Sequence, residues 1–273
     1  MARRARSATL ALASTLLTGA SCSTTAPQLE QPEGCPPAAV FCEDFESQTP
    51  GEAPGGPWLS DGTIAVDTAQ AHAGAQSVRL DTSAGWDGRA LLGLDGVDVF
   101  PTAHFFGRMH LYVTEASPDG VHWTMIQAAG MTEADDVWDG PFMAELRYGG
   151  MHQKRLMANY DTPGTYATPP TGPASDCWQH AQQVMPEARW ACLEWEFDSE
   201  TDTMRLWLDG EPVDNLELGT TGEGCVNPGT QGTWFYPDTF ERLDLGWVDY
   251  QDSGGERELW IDDVALGFER LGC

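Results

Sequence analysis

The sequence predicts an all-β protein, an antiparallel β-sandwich built as a single domain. Short segments rich in aromatic and β-branched residues recur along the chain, and Gly, Pro, Asp or Asn bounds each of them. Almost no stretch shows the 3.6-residue apolar period of an amphipathic helix. Strands at this spacing are typical of a sandwich.

The first 22 residues have the order of a bacterial signal peptide. Arginines at positions 3, 4 and 6 precede an apolar run over residues 10–17, and small residues then lead to Cys22. The run is too short for a membrane-spanning helix, which needs about 20 residues. We therefore expect an exported protein, located at the outer membrane or cell surface or else secreted.

Cys22 resembles the acceptor cysteine of bacterial lipoproteins, whose thiol receives a diacylglycerol. Gly19 stands where such signals usually carry Leu, so cleavage after Ala20 and free secretion stay open as the alternative. In the first case the membrane is a partner only through the lipid anchor. Residues 23–34 are polar and contain proline, which predicts a flexible linker before a folded domain over 35–273.

Nine segments are expected to be strands, each short and bounded by turn residues. They are residues 76–81, 105–113, 122–128, 142–148, 155–160, 189–198, 203–208, 242–248 and 258–268. Residues 198–202 supply one hairpin turn and Asp209-Gly210 the next. In the strand between them, Leu206 alternates with Arg205 and Trp207, which predicts one buried and one outward face.

The chain has seven cysteines, an odd number for an oxidising compartment. Setting Cys22 aside for lipid leaves six that can form three disulfides: Cys35, Cys42, Cys177, Cys192, Cys225 and Cys273. No C-x-x-C pair indicates a zinc site among them. Several connectivities are possible, and we provisionally pair Cys35 with Cys42, Cys177 with Cys192, and Cys225 with Cys273.

The composition is strongly acidic, with 42 Asp and Glu against 14 Lys and Arg and a net charge of -28. This field argues against nucleic acid and anionic membrane surfaces as partners. It also disfavours polyanionic glycans. Most of the acids are interpreted as a solvated coat.

Three phrases near the chain ends resemble carbohydrate-active jelly rolls of the concanavalin A-like type. They are Asp44-Phe45-Glu46, Gly74-Ala75-Gln76-Ser77 and Ile261-Asp262-Asp263-Val264. Residues 190–195 and 207–210 look like bacterial relatives of the fungal cellulase-co-induced jelly-roll protein, a group similar to glucuronan lyases. The resemblance spans 41–273 and implies a jelly roll whose partner is a polysaccharide or cell-surface glycan.

The resemblance also implies a structural calcium ion that ties the first and last strands together. The matching positions are Glu46, Ser77 and Asp262, and oxygen ligands of this kind suit Ca²⁺. Glu43, Asp44 and Asp263 could substitute for them. The alternative is that these are ordinary exposed acids at strand ends.

A uronate lyase must neutralise the sugar carboxylate, remove the adjacent proton and protonate the leaving oxygen. The candidates for these three tasks are Arg108, Arg147 and Gln127 for the carboxylate, His110 or His122 as base, and Tyr250 as acid. His122 and Gln127 have opposite strand parity, so a β-bulge must intervene if both face one groove. The characteristic R-x-E-x-R, Q-x-H and Y-x-K-x-G-x-Y phrases of alginate lyases are absent.

Other interpretations are carried beside the lyase. Trp138, Trp207 and Trp247 are candidates for stacking on sugar rings, although tryptophan is also a common core residue. Glu194 and Glu196 lie on one strand face but lack the E-x-D-x-x-E phrase of a retaining glucanase. A non-catalytic glycan-binding or adhesion lipoprotein and a structural envelope protein complete the set.

Overall fold

The computed structural model describes residues 34–133, 138–226 and 234–273. These ranges hold two antiparallel sheets and a single-turn 3₁₀-helix at Pro163–Tyr166, with no α-helix, which confirms the predicted sandwich. Within them, no helix has the length and apolar character needed to cross a membrane. The predicted signal segment, Cys22 and linker residues up to 33 lie outside the described residues.

Sixteen strands are present in the described ranges. They are β1 Ala39–Glu43, β2 Trp58–Asp61, β3 Thr63–Asp67, β4 Ser77–Asp81, β5 Gly88–Leu94, β6 His104–Val113, β7 Trp123–Thr132, β8 Phe142–Met151, β9 Arg155–Asp161, β10 Asp176–Val184, β11 Trp190–Asp198, β12 Thr203–Leu208, β13 Glu211–Pro212, β14 Gly224–Val226, β15 Arg242–Asp249 and β16 Glu258–Gly267.

Two eight-stranded sheets form the layers. Sheet A has the order β13-β12-β11-β6-β16-β4-β3, with β1 also paired to β16. Sheet B has the order β14-β10-β9-β8-β7-β15-β5-β2. The chain crosses repeatedly between the layers, so strands that are consecutive in sequence often belong to different sheets.

The core lies between the sheets and is filled by the inward side chains of alternating positions. On β11 these are Leu193, Trp195 and Phe197, and on β15 they include Trp247. The residues in between point away from the core, as the period of a strand requires. Each sheet therefore has an outer face of its own, and the two outer faces differ in what covers them.

All nine predicted strands are present, with ends within a few residues of those expected. The strands that the sequence did not indicate are β1, β2, β3, β5, β10, β13 and β14. Among these, β10 is long but polar, with the sequence DCWQHAQQV. Its outward residues line a groove described below, so the apolar signal that marks a strand is weak there.

One of the three provisional disulfide pairings is confirmed, Cys35–Cys42. The other two are wrong, because the bonds join Cys177 to Cys225 and Cys192 to Cys273. Cys177 and Cys225 lie directly opposite each other on β10 and β14 of sheet B. Cys192 belongs to β11 of sheet A, so its closeness to Cys177 in sequence is not closeness in space.

Candidate functional site

A groove crosses the outer face of sheet B. It consists of two adjoining cavities of about 330 and 250 Å³ that share His122, Asp176 and Gln251. The first cavity is also lined by Met151, His152, Met157, Asn159, Trp178 and His180, and the second by Arg147, Asp161 and Tyr250. The side chains come from β8, β9, β10 and the ends of β7 and β15, which lie side by side in the sheet.

A histidine and a tyrosine meet in this groove. The rings of His122 and Tyr250 lie 4.8 Å apart between centroids. The main-chain N–H of Tyr250 donates to the carbonyl of His122 at 2.9 Å, and its hydroxyl donates to Thr124 Oγ1 at 3.2 Å. The Nε2 atom of His122 is buried and has no hydrogen-bond partner.

A β-bulge, which the sequence made the condition for His122 and Gln127 to share one face, is present in β7. Its pairing with β8 shifts register between Thr124 and Ile126, and Met125 and Ile126 both enter the core. This extra residue brings Gln127 to the same outer face as His122 and Thr124.

Arg147 is buried at the floor of the groove and is fully engaged by protein acceptors. Its Nε donates to Gln127 Oε1 at 2.9 Å, and its Nη1 donates to Asp161 Oδ2 at 3.1 Å. Its Nη2 donates to Glu145, and the guanidinium lies 5.5 Å from the centre of the Tyr250 ring. The cation therefore organises the groove and is matched by two carboxylates.

Burial sets the protonation of the groove. It lowers the pKa of His122 to about 3, with Arg147 adding to the effect, so the imidazole is neutral at pH 7. Burial raises the pKa of Tyr250, which keeps its phenol protonated. Burial likewise raises the pKa of Glu145 and of Asp176. The groove thus presents a neutral base next to a protonated acid.

The six predicted catalytic residues do not form one site. His122, Gln127, Arg147 and Tyr250 meet on sheet B, whereas Arg108 and His110 lie on the outer face of sheet A. Their placement there contradicts a shared role, and the cause is that strand alternation gives parity but not the identity of the open face. Arg108 Nη2 instead donates to the carbonyl of Gly34 at 2.8 Å.

The C-terminal segment packs over the part of the sheet A face around β11. Glu194 is fully buried and accepts the main-chain N–H groups of Leu271 and Gly272 at 2.7 and 2.8 Å. Arg270 donates to the same carboxylate at 2.8 Å. Since Glu194 holds this segment, the hydrolytic pairing of Glu194 with Glu196 is also contradicted. Glu196 is bound by His104 and Arg205.

The three tryptophans predicted to contact a ligand lie in different environments. Trp247 is fully buried and stacks on Trp123 at 4.1 Å, so its predicted role in ligand contact is wrong. Trp207 is buried under the Arg270 guanidinium, 4.6 Å from the ring centre. Trp138 is half-buried against the core. The sequence analysis did not single out Trp178, which is half-buried in β10 and lines the groove.

Further groove residues escaped the sequence analysis. Asn159 and Asp161 alternate with core residues on β9, and Gln251 follows Tyr250 directly. The alternation in β9 could therefore have identified Asn159 and Asp161 as groove residues if the outer face of this strand had been known to line the groove. Asp176 and His180 lie on β10, whose polar sequence gave no such signal.

The three predicted calcium ligands surround one loop, which joins β3 to β4 and precedes Ser77. Glu46 Oε1 accepts the main-chain N–H groups of Ala75 and Gln76 at 2.8 and 3.0 Å. Asp262 Oδ2 accepts those of His72 and Ala73 at 2.8 and 3.3 Å. A cavity of about 370 Å³ lies beside the loop, lined by Asp44, Glu46 and Asp263 among others. The donors are all oxygens, so their chemistry fits Ca²⁺.

A family profile described as polysaccharide lyase-like, Cip1-like core domain, matches residues 50–269. The chain belongs to this Cip1-like family. The match covers both sheets and the groove, and it confirms the resemblance found in the sequence. Membership of this carbohydrate-active family suggests binding of a polysaccharide.

One solved structure supports the fold. The structure titled "Cellulose induced protein, Cip1" is 22% identical, has a TM-score of 0.59, and is aligned over 85% of this chain and 99% of its own. It confirms the Cip1-like jelly roll. The alginate lyase Aly36B is 12% identical with a TM-score of 0.42, over 74% of this chain and 84% of its own. No curated protein matches the sequence.

Proposed function

We propose that the groove on sheet B binds a polysaccharide and cleaves it by β-elimination, with His122 as base and Tyr250 as acid. The observation that carries this proposal is the His122–Tyr250 pair, 4.8 Å apart between ring centroids in a groove, with His122 Nε2 buried and unpartnered. Family membership supports a polysaccharide as the ligand.

The chemistry needs two proton transfers at one uronate residue. Neutral His122 takes the proton from the carbon beside the sugar carboxylate, and the electron pair forms a carbon–carbon double bond. The bond to the leaving oxygen breaks, and Tyr250 gives that oxygen its proton. Arg147 holds the carbonyl oxygen of Gln127, which leaves the Gln127 amide N–H₂ to donate to the sugar carboxylate.

The test is a panel of uronate and neutral polysaccharides incubated with the purified chain. Elimination is followed by the ultraviolet absorbance of the unsaturated uronate, and binding by retention on insoluble glycan. We expect an absorbance rise on one or more uronate polymers, abolished in His122→Asn. No rise on any of them would overturn the elimination.

A second candidate function is binding of a neutral glycan without cleavage. The observation that favours it is the charge of the groove, where Arg147 already bonds to Glu145 and Asp161. Asp176 adds a third carboxyl group, so an anionic polymer meets like charge. Retention on a neutral glycan, with no absorbance rise on any uronate, would support this function over the lyase.

We also propose that Glu46, Ser77 and Asp262 hold a structural Ca²⁺. The all-oxygen donor set and the anchoring of one loop by both acids support the assignment. An ion bound only to the folded state raises the melting temperature. A chelator is therefore expected to lower the melting temperature of the wild type and to change that of Asp262→Asn less. An unchanged wild-type melting temperature would count against calcium.

Finally, we propose that the protein is exported and carries lipid at Cys22. The three disulfides support an oxidising compartment. Labelling of cells with a fatty acid should mark the wild-type chain and leave Cys22→Ser unmarked. Secretion of an unlabelled wild-type chain would favour cleavage after Ala20 instead.

A further inference from the structure

Two histidines and an aspartate meet on the outer face of sheet A, on the side of the sandwich opposite the groove. Asp263 Oδ2 lies 2.6 Å from His72 Nδ1 and 3.5 Å from His110 Nδ1. Each of the three residues offers one ligand atom, and these atoms all lie within 4.8 Å of one another. His110 comes from β6, Asp263 from β16, and His72 from the loop before β4.

The His110 side chain lacks the partner that its burial calls for. The residue is 9% exposed, and its Nδ1 is buried without a hydrogen bond. An unsatisfied buried polar atom destabilises the folded state. The Oδ2 atom of Asp263 lies 3.5 Å from His110 Nδ1, but this oxygen already bonds to His72 Nδ1. A cation placed among the three would give His110 a partner.

We propose that His72, His110 and Asp263 bind a divalent transition-metal ion of the Zn²⁺ type. Two imidazoles and one carboxylate are a donor set that Zn²⁺ accepts and that differs from the all-oxygen set preferred by Ca²⁺. Three protein ligands leave a fourth position for water or another ligand. A cavity of about 220 Å³ lined by His72, His110, Trp190 and Asp209 adjoins the cluster and provides that space.

Binding requires a small movement of His72. Its ring stacks on that of His110 with centroids 3.5 Å apart and planes 9° apart. Parallel rings cannot both direct an in-plane lone pair at one ion, so one ring must turn. The His72 side chain is 35% exposed on a loop and can turn, whereas that of His110 is 11% exposed in a strand.

The distances also need to open slightly. Ligand atoms around a tetrahedral Zn²⁺ lie about 3.3 Å apart, because each bond to nitrogen or oxygen is about 2.0–2.1 Å. The His72–Asp263 distance of 2.6 Å is shorter than this, and the His110–Asp263 distance of 3.5 Å is close to it. Rotation of His72 would lengthen the first contact, and the ion would displace the proton held there.

The test is calorimetric titration of the purified chain with ZnCl₂, in buffer with excess CaCl₂ so that oxygen sites are occupied by calcium. We expect the wild type to bind one Zn²⁺ per chain. Loss of an outer partner of a metal ligand typically weakens binding 10–100-fold, so His72→Ala, which removes a direct ligand, should weaken it roughly 100-fold or more. This variant keeps the main-chain N–H that donates to Asp262.

The matched control is His104→Ala, which removes another sheet A histidine with a carboxylate partner, Glu196. It should bind Zn²⁺ like the wild type. Asp263→Asn serves as a second ligand variant, and both ligand variants are checked for an unchanged melting temperature without zinc. The proposal is overturned if the wild type takes up no zinc, or if folded His72→Ala and Asp263→Asn bind it as tightly as the wild type.

Discussion

The outer faces of the two sheets carry similar side chains, but they differ in how much other segments of the chain cover those side chains. Sheet A presents Arg108 and Trp207, which the chain ends engage, since Arg108 donates to the Gly34 carbonyl and Trp207 lies under Arg270. Sheet B presents Arg147 and His122 in an open groove. Arginine and aromatic side chains on an outer strand face are thus not enough to mark a ligand site. These side chains are available to a ligand only where no other segment of the chain lies over the face.

The sharpest way to break this comparison is to mutate one residue on each face. Tyr250→Phe removes the proposed acid from the groove, and general acid–base groups typically contribute on the order of 10²–10⁴-fold to the rate. We expect a loss of that size in the initial rate of ultraviolet absorbance rise.

Arg108→Gln is the matched change on sheet A, and its rate should equal that of the wild type. Equal losses in both variants would show that the two faces act together and that their separation is wrong.

The next largest expected effect is the loss of stability when the C-terminal segment is released from sheet A. The Cys192–Cys273 bond closes a separation of 81 residues and fastens the C-terminal segment. By loop-closure entropy, Cys192→Ser with Cys273→Ser should lower the free energy of unfolding by roughly 4–5 kcal/mol. Denaturant unfolding measures this loss of stability.

The double variant at Cys35 and Cys42 is the control, since that bond spans only 7 residues. The same entropy argument gives roughly 2 kcal/mol for it. A smaller loss from the long closure than from the short one would contradict the covering role of the C-terminal segment.

The smallest effect concerns the pH dependence of stability. The folded pKa of His122 is about 3, below the value near 6.5 of an unfolded chain. The unfolded state therefore binds more protons between these values, so the contribution of His122 is fully present above pH 6.5 and falls with acidification. At pH 5 the loss should be about 2 kcal/mol.

Urea unfolding of wild type and His122→Asn at pH 7 and pH 5 isolates this contribution, because the carboxyl groups are common to both chains. The wild type should lose more stability than the variant between the two pH values. An identical loss in both would mean that His122 is charged in the folded groove.

Alternation of apolar residues was enough to predict the sandwich and nine of its strands, since one buried face leaves a clear period of two. The bulge in β7 was not predicted; the sequence showed only that His122 and Gln127 could share a face if an extra residue lay between them. Strand β10 was missed because Asp176, Trp178 and His180 face the groove and replace the expected pattern.

Other features depended on contacts distant in sequence. The pairing of Cys192 with Cys273 follows from where the chain ends on sheet A, which no local pattern indicates. The same is true of Glu194, whose carboxylate looked available for catalysis until Leu271 and Gly272 were found to bind it. Four of the six predicted catalytic residues lie together on sheet B, and Arg108 and His110 were placed on the wrong face because strand alternation does not identify which outer face is open.

The contacts of Arg108 also determine on which side of the sandwich the two ends of the described domain lie. Its guanidinium donates to the carbonyls of both Gly34 and Gly272, so the two ends of the described domain converge at one residue of sheet A. Any tether or fusion partner joined at either end is therefore attached on the side away from the groove. A molecule immobilised through its ends would present His122 and Tyr250 toward the solvent.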